Sequence, residues 1–474
     1  MTPPPLFASV ADDDTGASDL AGMFADQGVR ALLVLDPSLL DGGGLTPAEV
    51  IVLATASRAL PKERAYDVTA EAVRRAAALG ARSIQIKYCS TFDSTAEGNI
   101  GPSLDAALDA LDERFTIAVP ALPVNGRTTY LGHHFVKGQL LSDSPMRHHP
   151  LTPMTNANLV AHLQRQTARR VGLTPCPVVE AGPAAILDQW TELRAAGIEM
   201  AIVDCISESQ AASIAEAAAG LRLISGSSVF GAQLPSVWRR RGWLSAPKDR
   251  LWDGLELDRG RGRLVAAGSC SVATAAQNAW IERAGATVLE ADARDLAESG
   301  PGLRRADESV CPTMQAKDMQ SGGAGASACQ PILAQRAVVE LAGGGTVLLK
   351  THSTAEAIAA AQQWGAQRGW SPAELGMKIA AGLARLVAQI VAARTPEALI
   401  CAGGETTGAI CRALEIRGFA VGRNIQPGVP LCFPLEGLRV PMVLKSGNFG
   451  TEDFYGAAFQ AAREERAGLK FRAG

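Results

Sequence analysis

The nine cysteines of this 474-residue chain form no CxxC pair. Several, Cys205 and Cys401 among them, sit inside apolar strand-like runs, the usage of a reducing cytoplasm where cysteine serves as a small buried hydrophobe. Neither sign of charge is in excess: 45 Lys and Arg stand against 48 Asp and Glu, giving a net charge of −3 and a pI near 6.1. Without a general basic field or a polybasic run, neither nucleic acid nor an anionic membrane surface is an expected partner. The opening residues lack a basic stretch followed by an apolar one, and no apolar run reads as a membrane span, so a cytoplasmic protein is expected. Two phosphate-binding signatures are missing as well. GxxxxGK[ST] does not occur, which excludes a P-loop, and Gly343-Gly-Gly-Thr precedes its strand rather than following it, which excludes a dinucleotide fingerprint.

What the chain has instead is an alternation of strand-like runs and Ala-rich helical segments along its whole length, the pattern of βαβ units around parallel sheets. At 474 residues it is too long for one ordinary core, and two α/β domains are expected, each a mostly parallel sheet flanked by helices, with the active site in the cleft between them. Strands are predicted near Phe7–Val10, Ala31–Leu35, Val50–Ala54, Ser83–Tyr88, Thr116–Pro120 and Met200–Asp204, with helices such as Ala65–Leu79 and Ser207–Ala219 between them. Gln233 to Arg261 breaks this rhythm with prolines, clustered arginines and tryptophans, so residues 1–235 form the expected first domain and 236–262 a linker. The second domain, 263–474, has predicted strands near Leu264–Ala267, Thr346–Lys350, Ala398–Ala402 and Met442–Lys445. Its predicted helices lie near Val272–Ala284, Pro331–Ala342 and Glu374–Ala393. Between Asp292 and Gln330 the composition turns to Gly, Ser, Ala and charge, which reads as a long flexible insertion.

The first strand ends abruptly in Asp12, Asp13 and Asp14, followed by Thr15-Gly16 and a helix start. Ligands of open α/β sheets bind at the carboxyl ends of strands. Three adjacent carboxylates there need a cation, a donor-rich ligand or a shifted pKa to be tolerated. Lys87 ends another strand and is followed by Ser90, Asp93, Ser94 and Asn99, while Arg58 stands just beyond the third strand with a guanidinium suited to a carboxylate. These polar groups suit a small acid.

In the second half, Ala398-Leu-Ile-Cys-Ala runs into Gly403-Gly404-Glu405-Thr406, a strand-to-helix turn whose bare N–H groups and positive helix end favour an anion. Gly268-Ser269-Cys270-Ser271 follows the domain's first strand, and Lys445-Ser-Gly447 its last, adding hydroxyls, a cation and a close-approach glycine. Three such turns in one domain favour a nucleotide cleft. The pairs His133-His134 and His148-His149 carry no Cys or carboxylate at ligand spacing, so no zinc site is expected there, and the metal ligands stay unassigned.

These segments, Asp12-Asp-Asp-Thr-Gly-Ala, Lys87-Tyr-Cys-Ser-Thr-Phe-Asp-Ser-Thr with Gly98-Asn-Ile-Gly, Gly268-Ser-Cys-Ser-Val-Ala-Thr with Gln277, Gly403-Gly-Glu-Thr-Thr-Gly and Lys445-Ser-Gly-Asn-Phe-Gly, resemble the four-carbon acid sugar kinases in order and spacing over nearly the whole chain. The Cys-Ser-Thr-Phe-Asp-Ser-Thr wording, Met146-Arg-His-His-Pro-Leu-Thr-Pro-Met and the Ser-Gly-Asn-Phe-Gly ending look most like the 3-oxo-tetronate kinase branch. The resemblance implies a sugar-acid-binding first domain, an ATP-binding second domain, and transfer of the γ-phosphoryl group to the C4 hydroxyl with Mg²⁺ bridging phosphate oxygens. Within that scheme their place at a strand end facing the cleft makes Asp13, with Asp12 next, the expected group that orients or deprotonates that hydroxyl, and Arg58 and Lys87 are expected to hold the substrate carboxylate, with Asp93, Ser94 and Asn99 around the acid. The nucleotide would meet Ser269, Ser271, Gly403, Gly404, Glu405, Thr406 and Gly447. The same chemistry on D-threonate, D-erythronate or L-threonate, and a non-catalytic nucleotide or sugar-acid sensor, stay open alternatives, as does a homo-oligomer. Asp14 stands where the family usually shows Phe.

Overall fold

The computed structural model describes residues 4–41, 47–149, 152–245, 250–298, 330–467 and 469–471. Within them the chain divides into two compact units, residues 1–253 with Arg417–Asn424, and residues 254–416 with 425–474.

In the first unit the strands lie in the order Val171–Thr174, Met200–Val203, Thr116–Val119, Leu223–Gly226, Ser83–Lys87, Phe7–Ala11, Val50–Ala54 and Ala31–Val34, all parallel. Most are buried at every position, because helices cover both faces of a parallel sheet, and their sequences are correspondingly apolar on both sides. On one side of the first strand, Phe7 packs against Phe24 of the helix Asp14–Asp26, and Phe24 stacks on Trp238 at 5.6 Å between ring centroids. An antiparallel ribbon, Arg127–Tyr130, His133–Val136 and Gln139–Leu140, stands apart from this sheet.

The second unit orders its strands Thr287–Ala291, Thr346–Thr351, Arg263–Ala267, Ala398–Ala402 and Met442–Lys445, all parallel, with Val429–Pro434 antiparallel beside the last. In each unit the first strand lies between the third and the fourth, with the second outermost of the parallel strands on that side. The connections after the first and fourth strands therefore leave in opposite directions, and the gap between those two strand ends is the switch point where such sheets take ligands. This shared topology has no counterpart as a sequence repeat.

The structure departs from the sequence reading in four places. The expected end of the first domain at 235 falls inside the helix Val229–Arg240, which carries the buried Pro235 in its interior, and the units change between Asp253 and Gly254, within the expected 236–262 segment. Gly418–Val421, expected in the second domain, instead pairs antiparallel with Ala31–Val34 and belongs to the first unit. The insertion expected over 292–330 lies outside the described residues from 299 to 329, and its described flank Ala293–Glu298 is a helix packed against Pro372–Ala393. Pro372–Ala393 itself is long and apolar enough by length and composition to cross a membrane, contrary to the expectation that no segment is. Its apolar residues Leu383, Leu386, Val387 and Ile390 are buried against neighbouring helices, so it fits the role of a core helix.

Candidate active site

At the switch point of the first unit, Asp13 caps the helix Asp14–Asp26: its Oδ1 accepts the Gly16 N–H at 2.7 Å and its Oδ2 the Thr15 hydroxyl at 3.1 Å. Asp12 points to Arg58, which donates from Nε to Oδ2 at 2.9 Å and from Nη2 to Oδ1 at 2.8 Å, while Arg58 Nη1 lies 3.1 Å from Asp13 Oδ2. One guanidinium thus neutralises both carboxylates, with the fork on Asp12. The Arg58 main chain is fixed as well: its N–H donates to the Asp12 carbonyl at 3.1 Å, and the Asn99 amide donates to the Ser57 and Arg58 carbonyls at 2.7 and 2.9 Å. Lys87 ends the neighbouring strand with its ammonium buried beside the turn, donating to the Tyr88 carbonyl at 3.2 Å.

The two aspartates are driven apart electrostatically. Burial raises the Asp12 carboxyl above the usual aspartate value despite Arg58. Burial acts in the same direction on Asp13, but Arg58, Lys87 and the Gly16 amide outweigh it and hold the carboxyl below that value. Asp13 is also the more accessible, with its side chain 26% exposed against 14% for Asp12. A small pocket behind the turn is lined by Asp12, Lys87, Asn99, Thr55 and Ser57 with Val10, Ile86 and Ile100.

Asp12, Asp13, Arg58, Lys87 and Asn99 are therefore brought together, but two of them do other work than expected. The Arg58 fork anticipated for a substrate carboxylate is occupied by Asp12, and the Asn99 amide donors hold the Arg58 loop. Asp93 accepts from Thr91, and Ser94 is tied to Gln166, which donates to its hydroxyl at 2.9 Å, and to His162, whose ring meets its carbonyl at 2.9 Å. Both residues shape the loop after Lys87 and do not line the pocket. Removing Arg58 leaves two adjacent buried carboxylates without their hydrogen-bonded counter-charge and with Lys87 alone beside them, so Arg58→Ala is expected to destabilise the protein by about 3 kcal/mol in urea unfolding rather than only to weaken acid binding.

In the second unit, the switch point joins Gly268–Ser271 to Gly403–Thr406. Gly403 has φ +125°, a conformation suited to glycine, and its N–H donates to the Lys445 carbonyl at 2.8 Å. The helix Gly404–Ala413 begins there without a side-chain cap, so its first N–H groups, which no intrahelical acceptor can reach, are offered outward. A Cβ added at Gly404 would meet nothing within 4 Å. Gly447 and Gly268 are different: a Cβ on either would overlap Ser269 Oγ or Thr406 Oγ1 respectively, so the turns touch through glycines. Ser271 caps the helix Val272–Arg283 through the Thr274 N–H at 3.1 Å and donates to the Gly447 carbonyl at 2.6 Å, while Ser271 N–H donates to Ser269 Oγ at 3.2 Å. Glu405 is exposed in the first helical turn and the Thr406 side chain is buried.

Lys445, expected to supply a cation to the nucleotide turns, is buried and engaged by the following loop. Its ammonium donates to the carbonyls of Ser446, Gly447 and Phe449 at 2.9 to 3.1 Å, and Gln277 adds donors to the Phe449, Gly450 and Thr451 carbonyls. Burial lowers its pKa from 10.5 to about 8. Between those values the unfolded chain binds the extra proton, so the Lys445 contribution to stability rises with pH across that window. Urea midpoints of wild type and Lys445→Met at pH 7.5 and 10 are expected to diverge in favour of wild type at the higher pH, and parallel behaviour would place the lysine elsewhere.

No group of three or more His, Cys, Asp or Glu able to hold a metal stands among the described residues. His134 is buried, and burial pulls its pKa down to about 4, which suits a packed neutral imidazole bonded to Thr129.

Residues 7–234 match the family described as a sugar-binding N-terminal domain, and residues 264–455 the one described as a nucleotide-binding C-terminal domain. The chain is 37% identical to a 3-oxo-tetronate kinase of Pseudomonas savastanoi pv. phaseolicola, covering 96% of this chain and 97% of that protein, and 38% identical with the same coverages to one of Cupriavidus necator. A crystal structure from Salmonella typhimurium LT2 matches with a TM-score of 0.76 at 30% identity, and one from Haemophilus influenzae with 0.71 at 31%, each covering 96% of this chain and 99% of the other. Two matched domain types and kinases similar from end to end lead to one conclusion: the chain belongs to the 3-oxo-tetronate kinase family.

Proposed function

We propose that this protein transfers the γ-phosphoryl group of ATP to the C4 hydroxyl of 3-oxo-tetronate, with the acid on the first unit and the nucleotide on the second. The observation that carries this reading is the opposite chemistry of the two switch points. One presents carboxylates that accept a hydroxyl proton, and the other presents an uncapped helix N-terminus that accepts phosphate. Phosphoryl transfer to an alcohol needs those two things, because its barrier is lowered by positioning and charge neutralisation rather than by covalent help from the protein.

In this reading Asp13 takes the hydrogen bond of the C4 hydroxyl and aligns its oxygen. Its lowered pKa keeps it ionised across the neutral range, which favours orientation of the nucleophile. Asp12 and Arg58 act through Asp13, holding its carboxylate in place. The phosphates lie on the Gly403–Thr406 turn, with Ser269, Ser271 and Gly447 shaping the adjoining wall. Mg²⁺ would arrive with the nucleotide and neutralise its phosphate oxygens. The described residues offer no multi-ligand cage for the ion, so no step is routed through it.

The position of transfer is read by phosphorus NMR of the product. A phosphate on C4 couples to two methylene protons, and coupling to a single methine proton would put the phosphate on C2 and contradict the reading.

A further inference from the structure

With Arg58 committed to Asp12 and Asp13, Lys87 is the one cation of the expected acid-binding set still facing the pocket, and a second cation on the same rim would complete the grip on the acid's carboxylate. Arg127 begins the antiparallel ribbon and is fixed by paired main-chain bonds to Leu122, 3.2 and 2.9 Å, just beyond the end of the strand Thr116–Val119. The adjacent Ala121 carbonyl accepts from Ser227 at 2.8 Å, and the next residue, Ser228, donates to Asp19. Arg127, Ser228 and Asp19 thus continue the carboxyl-end rim that carries Asp13 and Lys87.

Two polar atoms on this rim are buried and without a hydrogen-bond partner among the described residues, Arg127 Nε and Asp19 Oδ1. Arg127 Nη1 is held by the Asn125 carbonyl at 3.0 Å. That anchor leaves the Nε–Nη2 edge uncommitted, the same edge through which Arg58 grips Asp12. A buried donor and a buried acceptor left unmatched on one rim each cost free energy until a ligand supplies the complement. Asp19 also lies within the field of the Arg127 charge, although the two form no ion pair.

We propose that the Nε–Nη2 edge of Arg127 receives the substrate carboxylate and Asp19 Oδ1 receives one of its hydroxyl protons, so that Arg127 selects an acid over a neutral polyol. This rests on the kinase reading above and names the recognition element of that site. The test compares wild type, Arg127→Gln and Arg127→Lys in four readouts: the KM for the acid substrate, the KM for ATP, thermal melting, and turnover of the neutral tetritol erythritol. Calorimetric binding of erythronate in the absence of ATP is measured alongside.

Arg127→Gln is expected to raise the acid KM roughly 10- to 100-fold, the scale of a lost charged hydrogen bond, with the KM for ATP and the melting point unchanged. Arg127→Lys is expected to fall between, since an ammonium restores the charge but not the fork. An unchanged acid KM in Arg127→Gln, or an equal loss on erythritol, overturns the proposal. Should Arg127→Gln melt early, the more conservative Arg127→Lys decides by the same acid-to-erythritol ratio. Should wild type release no acid-dependent ADP, the kinase reading fails, and the calorimetric loss of erythronate binding in Arg127→Gln still judges this site separately.

Discussion

Asp13→Asn is expected to lower kcat by roughly 100-fold or more while leaving folding and ATP affinity in place, the scale of a lost catalytic proton acceptor. The substitution is unusually clean because Asn caps helices as well as Asp does. Its side-chain oxygen can keep the Gly16 N–H bond that starts the helix Asp14–Asp26. What it loses is the negative charge that Arg58 and Lys87 hold ionised and the capacity to accept from the C4 hydroxyl with full strength. Far-UV and thermal measurements should therefore be close to wild type, and the effect should fall on kcat more than on the KM for either substrate. Near wild-type turnover in Asp13→Asn would transfer the role to Asp12.

Gly404→Val is expected to abolish ATP binding without disturbing the fold. Apart from its chain neighbours and its own helix backbone, a Cβ at Gly404 meets nothing within 4 Å, so the new side chain starts into open space at the helix start. There it would stand where phosphate oxygens approach the first helical N–H groups. Gly447→Val is the contrasting case, since its Cβ would overlap Ser269 Oγ and the loss would be structural. Calorimetry should find no ATP binding in Gly404→Val together with normal erythronate binding, and normal ATP affinity would move the nucleotide to another turn.

Legibility in the sequence followed the range of each interaction. The strands Val50–Ala54 and Ala398–Ala402 were readable as fully apolar runs, and the acidic turn as a strand that stops at three carboxylates. The Asp13 cap is a contact between residues three apart, visible in the Asp-Asp-Thr-Gly wording. The Arg58 fork on Asp12 joins residues 46 apart, and no local pattern says whether an arginine at a strand end will meet a ligand or a neighbouring carboxylate. The burial of Lys445 among three carbonyls was hidden for the same reason, since a Lys before Ser-Gly reads as exposed until the loop folds back over it. Gly418–Val421 pairs with Ala31–Val34 nearly four hundred residues away in the chain, a partnership that strand propensity cannot encode. Arg127 gave no signal beyond Gly126-Arg127 at a turn, because its interest lies in what its Nε fails to meet.

The most direct measurement is ADP release by the purified protein with Mg²⁺ and ATP, followed with 3-oxo-tetronate, with D-erythronate, D-threonate and L-threonate, and with no acid. Release that depends on the acid and is fastest with 3-oxo-tetronate is the expected result. ADP release at the same rate with and without any of these acids, or none in their presence, would contradict the assignment of this chain as a kinase of four-carbon acids.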